Sequence, residues 1–216
     1  MTMPLRIVAL LPLALLCACG HDRSPTTTAA PAASATAATA NAVTHNDAGT
    51  VTDTQHGFAL AVPAGMALRH DFQRSYLGDG AWKAFAGPDS HGEPAAALVL
   101  DGSNGITAAE LRLGIGTDAE ALAHCRELPA SATSGSDTVV LAGVPFIHFH
   151  AGDAAMSHYL EVESYRAVHA GRCYAIDLLL TGTRPEVYDP PASPPFDHDT
   201  AWQKLHGALG GFRLLP

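Results

Sequence analysis

Thr138-Val139-Val140-Leu141-Ala142-Gly143-Val144-Pro145-Phe146-Ile147-His148-Phe149-His150 opens the tract that decides the fold. Ser157-His158-Tyr159-Leu160-Glu161-Val162-Glu163-Ser164-Tyr165-Arg166-Ala167-Val168 follows, then Ala170-Gly171 and Cys173-Tyr174-Ala175-Ile176-Asp177-Leu178-Leu179-Leu180. The runs are short and rich in Val, Ile, Phe and Tyr, residue types that suit a pleated, half-buried surface. Turns at short intervals, at Ala142-Gly143 and Ala170-Gly171, fold the runs back on one another. The tract therefore predicts an antiparallel meander.

Upstream, the same texture continues. Gly57-Phe58-Ala59-Leu60-Ala61-Val62-Pro63 predicts a strand stopped by proline. Residues 81–86 and 95–100 predict two strands around a Gly/Pro/Asp turn, and residues 111–115 a short strand. Asp101-Gly102-Ser103-Asn104-Gly105 is a turn; it lacks the alternating acids and closing Glu of a calcium loop.

Two helices stand out. Thr117-Asp118 offers an N-cap, with Ala121, Leu122, Cys125 and Leu128 on one face and Pro129 as the stop. The second begins near Asp197-His198-Asp199, carries Ala201, Trp202, Leu205, Ala208 and Leu209 as its apolar stripe, and ends at Gly210-Gly211. Each helix is half apolar and needs a sheet to lie against. The expectation is an α+β fold: an antiparallel β-sheet meander with helices packed on it, in a single domain over residues 50–216.

The opening Gly57–Pro63 strand, the Cys173-Tyr174-Ala175-Ile176-Asp177-Leu178 strand and the closing helix into Gly211-Phe212-Arg213-Leu214 together resemble the PsbP-like lipoproteins and related α/β/α sandwich domains. The resemblance covers most of the domain and its motifs are structural. It implies a sandwich fold and a role as an accessory or assembly factor, and it carries over no active site.

Residues 1–18 have the layout of an export signal, with Arg6 as a weak positive region and an apolar run over residues 7–16. That run is shorter than the roughly 20 apolar residues needed to span a bilayer. It closes on Leu16-Cys17-Ala18-Cys19-Gly20, which resembles the lipobox of bacterial lipoproteins: Leu at −3, a small residue at −1, then the cysteine that receives lipid. The resemblance implies cleavage after Ala18 and acylation of Cys19. Several acyl chains anchor firmly where one would exchange. In that family an Asp after the cysteine favours inner-membrane retention; Gly20 implies the outer membrane, with the domain facing the periplasm.

With Cys17 removed and Cys19 acylated, Cys125 and Cys173 remain in an oxidising compartment, where a Cys125–Cys173 disulfide is expected. Two buried thiols are the alternative. Residues 19–49 collapse into Ala, Thr, Ser and Pro and lack the apolar surface that would offset ordering entropy. They are expected to form a disordered tether reaching roughly 30 Å root-mean-square.

The chain has no Gly-x-Ser-x-Gly elbow, no His-Glu-x-x-His, no Ser-x-x-Lys and no phosphate-binding glycine loop. The expectation is a lipid-anchored envelope lipoprotein that binds or assists, without catalysis and without a cofactor. Twelve histidines are the unusual feature. His148 and His150 point to one side of a strand, and His158 on the next strand is expected opposite them. Three imidazoles at that spacing suit Zn²⁺ or Cu²⁺, so the alternative is a metal-binding or hydrolytic envelope protein using His148, His150 and His158. Half-buried strand residues are the simpler reading, since no Cys/His spacing motif supports ligation. Glu161 and Glu163 share a face with Tyr159 and Tyr165; paired acids can act as acid and base, but a solvated strand face accounts for them.

Arg6 is the one charged residue of the signal, so cleavage leaves 11 basic and 21 acidic residues, a net of −10 with neutral His. That balance excludes nucleic acid as a partner. The expected partners are the membrane, through the lipid, and an envelope protein or a small ligand. Protonating the histidines as pH falls through about 6.5 cancels most of this charge, and a near-zero net charge promotes association. Light scattering by the mature domain should therefore rise between pH 8 and 5; a flat trace would contradict it.

Overall fold

One strand, Thr107–Gly116, is buried along its whole length, and the architecture is the means of covering its two faces. The computed structural model describes residues 49–73, 82–85 and 91–216. The expected signal, Cys19 and nearly all of the expected tether lie outside the described residues; Gly49 already begins a strand.

In chain order the strands are β1 Gly49–Asp53, β2 Phe58–Val62, β3 Met66–Arg69, β4 Glu93–Leu100, β5 Thr107–Gly116, β6 Asp137–Leu141, β7 Val144–Ala155, β8 His158–His169, β9 Arg172–Thr183 and β10 Phe212–Leu214. The helices are α1 Ala119–Ala123 and α2 His198–Leu209. Seven strands form one antiparallel sheet in the order β3-β4-β5-β9-β8-β7-β6, and β1-β2-β10 form a second. The α+β class and the meander over β6–β9 are as the sequence implies. After β5 the chain crosses to the far edge of the sheet and returns, so that β9 lies against β5 with Gly116 opposite Cys173.

All three turns of the meander are two-residue turns with both φ values positive: Ala142-Gly143, Met156-Ser157 and Ala170-Gly171. That is the hairpin geometry whose twist matches the strands. The middle turn has no glycine to announce it, so β7 runs on to Ala155 instead of ending near His150.

On one face of β5, Ala109, Leu111, Leu113 and Ile115 join a core with Ala201, Leu205, Ala208 and Leu209 of α2. Phe58, Leu60, Val62 and Phe212 of the small sheet complete that core. Asp197 caps α2 by accepting from the Thr200 N–H at 2.8 Å, and the helix ends at Gly210.

The opposite face buries a polar cluster between two smaller apolar ones. Asp177 on β9 pairs with Arg166 at 2.7 Å, accepts from Ser164 Oγ at 2.6 Å, and accepts from the Ala84 N–H at 2.6 Å. Residues 82–85 are thus bends and turns, which corrects the expected strand over residues 81–86. Their backbone lies on the sheet face instead of extending an edge: a Cβ on Gly114 would stand 1.6 Å from the Trp82 carbonyl oxygen.

The first helix is also shorter than its pattern suggests. α1 has 5 residues and Asp118 is its cap; Cys125 follows in a turn and Leu128 is exposed. What holds this segment is the Cys125–Cys173 disulfide, packed among Trp82, Ala121 and Ala175. Among the described residues no helix is long and apolar enough to cross a membrane.

The disulfide spans 48 residues, so reducing it should cost about 4 kcal/mol in the chain-entropy picture. Denatured, unreduced protein should show no reactive thiol at Cys125 or Cys173, and reduction should lower the urea midpoint. Two thiols before reduction would refute the bridge.

Candidate functional site

Helix α2 rests on β4, β5 and β9, so its flank overlooks β8 and β7. Alternation along those strands aims His148, His150, Glu161, Glu163 and Tyr165 to the α2 side, with His148 opposite Tyr165 and His150 opposite Glu163. The helix answers with His198, Trp202 and His206, spaced four residues apart and therefore stacked along one flank. His198 Nε2 lies 2.9 Å from Glu161 Oε2, and His206 Nε2 lies 2.8 Å from Glu163 Oε2. Between flank and sheet runs a groove of about 420 Å³ lined by Thr133, His150, Ala151, Glu161, Val162, Glu163 and Trp202.

Glu163 is the hub. Its side chain is 14% exposed, and its Oε2 accepts from the Tyr165 hydroxyl at 3.0 Å as well as meeting His206. Burial and the Glu163 charge together hold the Tyr165 hydroxyl well above its usual range. The His148 ring stacks on Tyr165, with centroids 4.7 Å apart, and places Nδ1 2.8 Å from Asp137 Oδ1. Among the described residues its Nε2 is buried without a hydrogen-bond partner, 3.8 Å from Glu163 Oε2. His150 Nδ1 stands 4.0 Å from Glu163 Oε1.

His198 sits between Glu161 and Asp199, at 2.9 and 3.1 Å. The Trp202 indole N–H also lies 3.3 Å from His198 Nε2. One nitrogen cannot accept from the indole while donating to Glu161, and the shorter contact to the carboxylate prevails. The hydrogen bonds to Glu161 and Asp199 raise the His198 pKa above its ordinary value.

The structure brings His148 and His150 together as the strand period implies, and places His158 elsewhere. Because β7 continues to Ala155, His158 falls opposite that residue at the end of the hairpin, with Nδ1 2.9 Å from Thr183 Oγ1. The expected trio His148, His150 and His158 does not form. Glu163 and His206 occupy the place expected of His158. Trp202 was assigned to the apolar stripe of α2 and the four-residue spacing of His198, Trp202 and His206 was missed; that spacing was the signal in the sequence, while its register against Glu161 and Glu163 was not. Among the described residues no group of three or more His, Cys, Asp or Glu is placed to hold a metal ion.

No protein-family model and no curated protein matches the chain. Among solved structures, the fold is similar to the solution structure of cyanobacterial PsbP (CyanoP) from Synechocystis sp., at 11% identity and a TM-score of 0.41, over 77% of this chain and 92% of that one. A likeness at that distance transfers no residue, ligand or partner.

A raised His198 pKa means that the ion pair's contribution is fully present below about pH 6.5 and is lost as pH rises through the raised value. Trp202 lies against two imidazoles, those of His198 and His206, so the His198 ring is followed by its own imidazole resonance. That resonance should titrate with a midpoint above 6.5, and Glu161→Gln should move that midpoint down. An unmoved midpoint would disconnect His198 from Glu161.

Proposed function

We propose that the chain is a lipid-anchored cell-envelope lipoprotein whose domain binds a ligand without transforming it, at the groove beside α2. The observation that carries the reading is the groove, about 420 Å³ in volume, with the Trp202 indole on one wall and the His150 imidazole and the Glu161 and Glu163 carboxylates on the other. A concave apolar surface with a few convergent polar groups is what small-ligand sites present. Binding without catalysis is supported by how the groove acids are used: Glu161 and Glu163 are both engaged by imidazoles of α2. Ser164 is turned to the opposite face, where its hydroxyl is bonded to Asp177.

Support for the anchor comes from Leu16-Cys17-Ala18-Cys19, and Gly20 favours the outer membrane with the domain in the periplasm. The acidic balance of the chain opposes adhesion of the domain to anionic headgroups. Attachment then falls to the acylated cysteine, and the tether of Ala, Thr, Ser and Pro gives the domain room to meet its ligand.

Intact-mass measurement should find fatty acids on Cys19, and Cys19→Ala placed behind an ordinary cleavable secretory signal should move the protein from the outer-membrane fraction to the soluble one. In a thermal-shift screen of small polar molecules, hits on the wild type should lose their shift in Trp202→Ala and keep it in Met156→Ala, which lies on an exposed turn. Membrane retention of the cleaved, unacylated Cys19→Ala protein would overturn the anchor. Hits indifferent to Trp202 would overturn the groove.

A further inference from the structure

β6 is the last strand of the large sheet, and its outer edge is open. Its pairing with β7 decides which of its amides face outward. The two-residue turn Ala142-Gly143 closes on a bonded pair, Leu141 with Val144. Bonded and non-bonded pairs alternate along an antiparallel ladder. The next pair, Val140 with Pro145, is therefore non-bonded, which suits a proline without an N–H. Asp137, Val139 and Leu141 bond to β7, while Thr138 and Val140 turn their N–H and C=O groups outward. Among the described residues no other backbone takes these groups up.

This edge lacks the usual guards. Native sheets blunt an open edge with Lys, Pro, a bulge or a very short strand. The opposite edge, β3, is four residues long and ends on Arg69, paired with Asp71 at 3.1 Å. β6 runs Thr138-Val139-Val140-Leu141 behind a single charge, Asp137, in unbroken register with β7. Val140 is 68% exposed.

We propose that β6 is a self-association edge: β6 of a second copy of this chain pairs with it, antiparallel, about a two-fold axis through Val139. Two seven-stranded sheets then become one. What selects a second copy is that the strand is complementary to itself. An axis at Val139 puts Thr138 opposite the other copy's Val140, and Val140 opposite its Thr138. These are the outward-facing residues, so each pair exchanges both its bonds. An axis at Thr138 or at Val140 would leave one outward residue of each strand beyond the end of the other. Asp137 meets Leu141, and the two Asp137 residues end about 13 Å apart along the strands, beyond the ~8 Å screening length at physiological salt. Val139, packed on the main core, meets its own copy across the axis. Such a contact is isologous and closes at two copies. It requires neither the lipid anchor nor a ligand in the groove.

The test is sedimentation of the mature chain carrying Cys19→Ala, so that neither acyl chains nor a thiol at residue 19 can join two molecules. At pH 8 and physiological ionic strength, a micromolar-to-millimolar series should show a reversible monomer–dimer equilibrium. Val140→Lys and Val140→Pro should each weaken it at least tenfold. Both change only outward-facing groups, so the β6–β7 ladder stays. Met156→Ala, on an exposed turn, should leave the equilibrium unchanged. Hydrogen exchange reads the contact without a variant: the Thr138 and Val140 amides should be protected in proportion to dimer, and the Val139 amide at every concentration. A monomer throughout the series would overturn the proposal and leave the edge to a strand of another protein. A dimer that survives in Val140→Lys, or that forms without slowing exchange at Thr138 and Val140, would put the contact elsewhere and overturn it as well.

Discussion

The carboxylate of Asp177 is the constraint on which the rest of the structure depends. It lies in the middle of the seven-stranded sheet and draws together Ser164 and Arg166 of β8 and the backbone of Ala84. Leaving one member of such a buried pair without its partner costs roughly 3–5 kcal/mol, so the three attachments hold as a set. Arg166 also donates to the carbonyls of Tyr165 and Ile176, which spreads its charge over the strands it joins. With residues 82–85 held in place, Trp82 covers Gly114 so closely that no side chain fits between them. Among the described residues, this face of the sheet is covered by the irregular segment 82–85, the five-residue α1 and the disulfide.

Coverage of the other face is uneven, and the unevenness locates the chemistry. A twelve-residue helix and three short strands shield β4, β5 and β9 but leave β7 and β8 beyond the helix edge. Strands covered on both faces read as continuous apolar runs, and strands covered on one face alternate. β9 is of the first kind, while the outer part of β8 alternates between Leu160, Val162 and Ser164 on the sealed side and Glu161, Glu163 and Tyr165 on the other. The groove is therefore a consequence of the helix being narrower than the sheet. Its polar lining reflects the same alternation that builds the core.

This division also marks how much the residues could tell by themselves. The meander, the Asp197 cap and the stripe of α2 are local: each is written in neighbouring residues at a period of two or 3.6, and each was legible. The segment 82–85 was not, because its Trp and Phe look like strand residues while its conformation is set by a carboxylate 93 positions away. Residues 119–128 carry a helical stripe over ten positions, yet the disulfide takes Cys125 out of the helix and Pro129 leaves Leu128 exposed. His158 was misplaced by a single turn. With Met156 and Ser157 both in the left-handed region, the hairpin closes later than any glycine signals, and the register carries His158 to its far end. Glu163 meets His206 across 43 positions, a pairing that only the packing of α2 determines.

The histidines of this acidic chain are spent largely on carboxylates. His56 bridges Asp53 and Glu93, His124 meets Glu120 and Glu127, His148 meets Asp137, and His198 and His206 reach Glu161 and Glu163. At His56 burial is the largest single effect and disfavours the charged ring, but the hydrogen bonds and charges of Asp53 and Glu93 together outweigh it and raise the pKa. At Asp53 burial is again the largest single effect, and the hydrogen bonds and charge of His56 together with the Gln55 backbone outweigh it and lower the pKa. The two shifts open a window between the ordinary carboxylate and imidazole values, about pH 4 to 6.5, in which both partners are charged and the pair is at full strength. Mild acid thus removes the net charge that keeps molecules apart while it strengthens the contacts tying the small sheet and α2 to the large one. Association in that range is then association of folded domains, and loss of solubility there is no sign of a weakened fold.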